Sequence, residues 1–206
     1  MVVLNRQSGS QSEYTTGARR GSLTARVLIT LVSLPLLLAP ILSAADQNAP
    51  ELPGLFSRLK AETDPAVAKS IEEQIWQHWF VAPDDEAASM LSQVSQAMSQ
   101  GQFDIALRLC NQLVYIYPEF AEGWNRRATV QYQLKNHAAS VADIRETIRL
   151  EPRHFGAISG LGLIFLRTKD YPAALEAFEQ VLAISPASVN AKRSIEFVRA
   201  EMGREI

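Results

Sequence analysis

The sequence is poor in the residues that build metal, redox and nucleophilic sites. Its 206 residues include one cysteine, Cys110, and three histidines, His78, His137 and His154. A lone cysteine cannot form an internal disulfide, and no histidine has a metal-ligand spacing to Cys, Asp or Glu. We expect Cys110 to be a small buried hydrophobic residue. The sequence therefore predicts a protein that is not an enzyme and that needs neither a metal nor a cofactor.

A glycine-rich phosphate loop is also missing. Gly156, Gly160 and Gly162 fall on one predicted helix, in an order that differs from the dinucleotide-binding fingerprint, and no strand precedes them. Small residues spaced in this way let neighbouring helices approach closely. We expect such packing here, with room beside Gly156 and Gly160 for a ligand backbone.

No apolar run has the length of a membrane-spanning helix. Residues 27–42 form a run of 16 that Pro35 and Pro40 interrupt, whereas a spanning helix needs about 20 residues. Three arginines precede this run and the small residues 43–45 follow it, which is the order of a secretory signal peptide and its cleavage site. We predict export with removal of residues 1–45. Two alternatives stay open, namely retention of the run as an anchor and a twin-arginine route.

The exported chain would be mildly acidic. Cleavage removes one acidic and four basic side chains, namely Glu13, Arg6, Arg19, Arg20 and Arg26, and leaves 16 basic and 21 acidic ones. A net charge of about −5 gives no electrostatic footprint for nucleic acid. We therefore expect no nucleic-acid partner.

Three prolines mark an internal repeat. Pro118, Pro152 and Pro186 stand 34 residues apart, and each closes a segment with the same pattern. When the proline is counted as position 32, positions 8 and 20 hold small residues and position 24 holds an apolar or cysteine residue. This spacing predicts two amphipathic helices per unit, joined by a polar turn. The residues are Val94, Ala128 and Gly162 at position 8, Ala106, Ser140 and Ala174 at position 20, and Cys110, Ile144 and Phe178 at position 24.

The third copy carries most of a known signature. Its residues are Leu161, Gly162, Phe165, Tyr171, Ala174, Phe178 and Pro186. On these residues the segment 87–186 resembles the tetratricopeptide repeat. Residues 121–166 are also similar to small exported repeat proteins of Gram-negative bacteria. The resemblance implies an all-α, right-handed solenoid of helix-turn-helix units, and a location in the periplasm.

This register divides the chain into six parts. They are a signal peptide (1–45), an N-terminal linker and helical pair (46–86), three repeats (87–120, 121–154 and 155–188) and a C-terminal capping helix (189–206). Stacked repeats need ends that differ from the interior. In the N-terminal pair, Trp76 and Trp79 fall at positions 24 and 27 of the register. We interpret the pair as a shortened repeat with oversized core residues.

The resemblance also implies a binding face. In the family, the concave surface lined by the first helix of each unit binds peptides. The positions that usually line it select Glu122, Asn125, Arg126, Thr129, Tyr132 and Gln133 from the second repeat, and Ser159, Leu163 and Arg167 from the third. The set lacks the Lys/Asn/Arg combination by which some members hold a terminal carboxylate. We expect a groove for an extended or helical peptide.

Arg127 is a charged residue at a position that should face the interior. It occupies position 7, where the third repeat has Leu161. Asp143 at position 23 is the expected partner, because the other repeats have Leu109 or Ala177 there. We predict a structural ion pair between the two helices of the second repeat.

These features predict a non-enzymatic, exported adaptor or scaffold. Its partner would be a protein or peptide segment in the cell envelope, and no membrane span would be left after removal of the signal. The alternative is a structural protein whose repeat faces self-associate into a homo-oligomer. In that alternative, residues 46–53 of the chain itself would fill the groove.

Overall fold

The computed structural model describes residues 46–204, and the predicted signal peptide lies outside them. In the described range, nine α-helices follow a short 3-10 helix, Asp46–Asn48, and there is no strand. Their bounds are α1 Leu52–Ala61, α2 Pro65–Trp79, α3 Asp85–Ser99, α4 Phe103–Ile116, α5 Ala121–Gln133, α6 His137–Leu150, α7 Phe155–Arg167, α8 Tyr171–Ile184 and α9 Val189–Arg204. None of these nine has the length and hydropathy that crossing a bilayer would require.

Helices α3 to α8 form three antiparallel pairs, one for each 34-residue unit. Small residues lie where the two helices of a pair meet. The Ser140 hydroxyl donates a hydrogen bond of 2.8 Å to the carbonyl of Ala128 across the second pair. In the third pair, a Cβ on Gly162 would lie 2.7 Å from the ring of Phe178. The small residues at positions 8 and 20 therefore set the close approach of the helices.

The turn inside each unit ends its first helix in the same way. Position 15 has a left-handed backbone in all three repeats, with φ of 70° at Gly101, 63° at Lys135 and 62° at Lys169. In the second repeat the amide of Asn136 then donates to the carbonyl of Gln131 at 2.9 Å. This six-residue closure is the Schellman ending of a helix.

The N-terminal helices α1 and α2 form a hairpin that does not stack on the first repeat. Asp64 is the N-cap of its second helix, and the Asp64 carboxylate accepts from the amide of Ala66 at 2.7 Å. The core clusters beneath α3 and α4 contain no described residue of α1 or α2. The hairpin instead shares a core with α7, α8 and the start of α9, which includes Leu52, Leu59, Ile71, Ile75, Trp79, Phe155, Ile158, Val181 and Ala191.

Polar contacts fix the hairpin and the segment before it at two places. The Gln47 side chain donates to the carbonyl of Glu119 and accepts from the amide of Ala121, both at 2.9 Å. Lys60 Nζ donates to the carbonyl of Ala183 at 2.8 Å. The Ser185 hydroxyl donates to the Glu72 carboxylate at 2.7 Å. From the sequence we interpreted this helical pair as a shortened repeat that comes before the first one. In the structure, its apolar face instead packs against the third repeat.

Helix α9 covers the C-terminal end of the stack. Ala191, Ile195 and Val198 are buried, whereas Lys192 and Arg199 are exposed. Its apolar stripe packs on α8 and its polar side faces solvent, as a terminal helix requires.

Candidate peptide-binding groove

The first helices of the second and third repeats, α5 and α7, enclose a cavity of about 250 Å³. We call it the central cavity. Five residues predicted from the sequence line it, namely Asn125, Thr129, Tyr132, Gln133 and Leu163. The remaining lining residues are Ala128, Ser140, Ile144, Gly156, Ala157, Gly160 and Ile164. The lining is therefore mainly apolar, with amide and hydroxyl groups among it.

Gly160 is the reason for this open space. A Cβ at that position would meet only the Ile144 Cδ1 atom, at 3.6 Å, which is an ordinary van der Waals distance. The Ser140 hydroxyl is already bonded to the Ala128 carbonyl, so it does not demand a polar ligand. The space that the sequence indicated beside Gly160 is present.

The space beside Gly156 is occupied. A Cβ there would lie 2.5 Å from the Trp76 ring, because the indole of α2 sits directly against the glycine. Trp76 and Phe80 form one wall of a second, shallower recess of about 370 Å³. We call it the outer recess. Its other lining residues are Glu122, Asn125, Arg126 and Thr129, so Asn125 and Thr129 separate it from the central cavity.

Glu122 is an internal group rather than an exposed ligand contact, which corrects the expectation from the repeat register. Its side chain has no exposed surface. One carboxylate oxygen accepts from Arg126 Nε at 2.6 Å and the other from the Asn125 amide at 2.8 Å. Both neighbours were predicted to face a ligand. Glu122 holds them in place from beneath.

His154 completes this buried cluster, and no pattern in the sequence pointed to it. Its Nδ1 accepts from the amide of Ala157 at 3.1 Å and so caps α7. The proton of the neutral ring is therefore assigned to Nε2, which lies 3.4 Å from the Glu122 carboxylate. The imidazole stacks on the indole of Trp79. A pattern of repeat positions cannot reveal such a contact, because the hairpin lies outside the repeat.

Two arginines lie at the edges of the groove. The Arg126 guanidinium is 4.8 Å from the centre of the Phe80 ring, and that of Arg167 is 5.7 Å from the Tyr132 ring. Arg167 Nη1 also donates to the Tyr132 hydroxyl at 3.4 Å. Ser159 is half-buried on α7 and lines neither recess.

The structure brings Arg127 and Asp143 together. Arg127 Nε and Nη2 donate to the two Asp143 oxygens at 2.9 and 2.7 Å. Nη1 donates to the Asn111 side chain at 3.1 Å, and the guanidinium lies 4.7 Å from the centre of the Trp124 ring. The carboxylate is almost fully buried, at 5% exposure. This pair joins the two helices of the second repeat and also contacts α4.

Cys110 is fully buried in the first repeat. Burial raises the pKa of its thiol to about 12, despite the nearby Arg127 and Arg126. A thiol in that state is not an activated nucleophile.

Comparison with known proteins gives the family. The tetratricopeptide repeat profile matches residues 138–189. A TPR repeat-containing protein of Rhizobium etli is 31% identical over 160 residues, which cover 78% of this chain and 78% of that protein. The chain belongs to the tetratricopeptide repeat (TPR) family.

Solved structures share the TPR fold. The Sgt2 TPR domain from Aspergillus fumigatus superposes with a TM-score of 0.56 at 25% identity, over 60% of this chain and 83% of that domain. The first TPR of Spaghetti (RPAP3), solved with an HSP90 peptide bound, gives 0.55 at 19% identity, over 58% and 96% of the two chains. The predicted all-α solenoid is confirmed.

Proposed function

We propose that this TPR protein is a non-enzymatic scaffold that binds a segment of another protein along α5 and α7. The central cavity carries this proposal. It is an open, largely apolar space on the face formed by first helices, and side chains with free hydrogen-bonding capacity surround it. A bound segment could bury an apolar side chain there and bond its backbone to Asn125, Gln133 and Tyr132.

The TPR of Spaghetti was solved with a peptide bound. We extend that general mode of binding to this chain, because the two chains share the TPR fold. The peptide's identity is not carried over, since the identity between the chains is only 19%.

A pair of matched variants tests the groove. Random peptides would be selected by display on the full chain, as purified from its host. Selection would be repeated with Asn125→Ala/Tyr132→Ala in the groove and with Gln112→Ala/Tyr115→Ala on the exposed surface of α4. We expect the groove variant to lose the selected peptides and the α4 variant to keep them, with circular dichroism showing equal helicity. Equal retention by both variants would contradict the proposal.

We also propose that the scaffold acts in the cell envelope after export. The order of charged, apolar and small residues in 1–45 supports this part. Fractionation of the host and N-terminal sequencing of the accumulated protein test it. We expect a periplasmic form that starts at Asp46, and a cytoplasmic protein that still starts at Met1 would refute export.

A further inference from the structure

The central cavity has the size of one apolar side chain. An apolar cavity of about 150 Å³ accepts benzene, so a space of about 250 Å³ can hold a leucine or phenylalanine side chain. The cavity is open because Gly160 lacks a side chain, and Ala128, Ala157, Ile144 and Ile164 supply the apolar contact.

The charges around this cavity leave one positive charge unpaired. Glu122 is buried and both of its oxygens accept hydrogen bonds, so its charge is paired with that of Arg126 and its oxygens are not available to a ligand. Arg126 uses only Nε in its bond to Glu122. Arg167 is exposed, and its described contacts are with the Tyr132 ring and hydroxyl rather than with a carboxylate. Arg126, through Nη1 and Nη2, and Arg167 can therefore each donate hydrogen bonds to a carboxylate of a ligand.

The N-terminal hairpin contributes to this arrangement. The Phe80 ring supports the Arg126 guanidinium from one side and Glu122 holds its Nε, so the group is fixed before any ligand arrives. A planar guanidinium fixed in this way suits a carboxylate. The outer recess, which has Trp76 and Phe80 as its wall, is thus the continuation of the groove beyond Asn125 and Thr129.

The separation of Arg126 from Tyr132 along α5 sets the scale of a ligand. Arg126 and Tyr132, which Arg167 contacts, are six residues apart on α5, or about 9 Å along the axis at about 1.5 Å per residue. An extended peptide rises about 3.3 Å per residue and presents every second side chain to one face. Acidic side chains two positions before and after an apolar one would face the same side with their Cα atoms about 13 Å apart. That exceeds the distance of about 9 Å along α5, and the flexible side chains of glutamate and Arg167 would span the difference.

We propose that the groove selects an extended, internal protein segment with an apolar anchor residue flanked by acidic residues at the second positions. The anchor fills the central cavity, one acidic side chain pairs with Arg126 against the hairpin, and the other pairs with Arg167. This inference rests on the proposed function and adds the class of partner. Recognition uses side-chain carboxylates, so it needs no free C-terminus.

Synthetic peptides test the proposal. The first probe is a labelled nonapeptide with a central leucine, glutamates two residues to either side, neutral polar residues elsewhere and both ends blocked. Two further peptides replace the glutamates with lysine or the leucine with serine. Binding to the full chain would be measured by fluorescence anisotropy in low salt. We expect either replacement to weaken binding at least about tenfold, and we expect a free C-terminus to make no difference.

Protein variants test the acidic side chains and the apolar anchor of the ligand one at a time. Arg167→Gln should weaken the glutamate peptide about fivefold, while Arg108→Gln on the exposed surface of α4 makes the same change in charge and should have no effect. Gly160→Leu should remove binding by filling the cavity. Gly160→Ala, which fills less of it, should weaken binding partially in a chain that is at least as stable.

The results that would contradict this class of ligand differ from those that would contradict binding in the groove. Equal affinity for glutamate and lysine peptides, or no effect of Arg167→Gln, would overturn the acidic partner. Display selection could still show groove-dependent binding in that case, and the proposed function would stand. Undiminished binding by Gly160→Leu would overturn the anchor. Self-association in sedimentation that Gly160→Leu abolishes would make a second copy the occupant and would also overturn the inference.

Discussion

The indole of Trp79 lies nearly parallel to the imidazole of His154, with the ring centroids 4.1 Å apart and 9° between the planes. One residue belongs to the hairpin and the other caps α7. His154 thus links the position of the hairpin to the start of the helix that forms one side of the groove. Both rings are buried, so this contact should contribute strongly to stability.

Replacement of Trp79 tests the contact. Trp79→Ala leaves a large cavity in the core, and we expect the free energy of unfolding to fall by about 3–5 kcal/mol. Phe80→Ala removes a neighbouring ring that is 41% exposed, and should cost about 1 kcal/mol or less. Urea unfolding followed by circular dichroism measures both. Similar losses for the two variants would show that the stack does not hold the hairpin.

The Arg127–Asp143 pair predicts strong non-additivity. Asp143→Ala leaves a partly buried guanidinium without its carboxylate, and should cost about 3–5 kcal/mol, whereas Arg127→Met/Asp143→Leu should be within about 1 kcal/mol of the unaltered chain. Glu146→Gln breaks the exposed pair with Arg149 and should cost less than about 1 kcal/mol. Denaturant unfolding of all three variants measures the coupling. Equal losses for the single and double Arg127/Asp143 variants would contradict it.

Two glycines of α7 should respond in opposite directions to alanine. Gly160→Ala meets only an ordinary contact and gains helix propensity, so stability should rise by about 0.5–1 kcal/mol. Gly162→Ala places a Cβ 2.7 Å from the buried Phe178 ring, and overpacking should cost about 1–3 kcal/mol. Thermal unfolding measures the order. Gly54→Ala, on α1 with nothing within 4 Å of its Cβ, is the propensity control and should match Gly160→Ala.

Cys110 should make stability decline at high pH. Its thiol has an ordinary pKa of 9.0 and a pKa of about 12 in the fold, chiefly through burial. The unfolded chain therefore loses this proton first, and the stabilising contribution that is complete below pH 9.0 is lost as pH rises towards about 12. Comparison of urea midpoints for the unaltered chain and Cys110→Ala between pH 8 and about 10.5 isolates the effect.

The unaltered chain should lose stability more steeply across that range than the variant. Alkylation by iodoacetamide gives an independent measure, because a buried protonated thiol should react only after addition of denaturant. Rapid alkylation of the folded chain at pH 8 would contradict both the burial and the raised pKa.

The sequence predicted the repeats well because their information is local. The 34-residue period places Ala128 and Ser140 where two helices meet, and Arg127 opposite Asp143, within one unit of known geometry. The five cavity residues followed from the same register. The burial of Glu122 did not follow from that register. It depends on His154 and on the hairpin, and the residues that the hairpin packs against lie about 80 positions further along the chain.

The hairpin shows where periodicity stops being informative. Trp76 and Trp79 have the spacing of a helix face, and that spacing indicates burial without indicating the partner. The complementary surface is a gap above Gly156 in the third repeat. A glycine in a sequence does not reveal whether a ligand, a neighbouring helix or a distant indole of the same chain fills the space beside it.

Stacked repeats ordinarily touch only their neighbours, and a terminal repeat can then fray by itself. Here the segment that precedes the first repeat is bonded through Gln47 to the start of the second, and through Lys60 and Glu72 to the end of the third. The last repeat cannot open without breaking contacts made by the first described helices. We therefore expect the third repeat to unfold together with the hairpin in one transition, because a stretch of chain outside the repeats ties the two together.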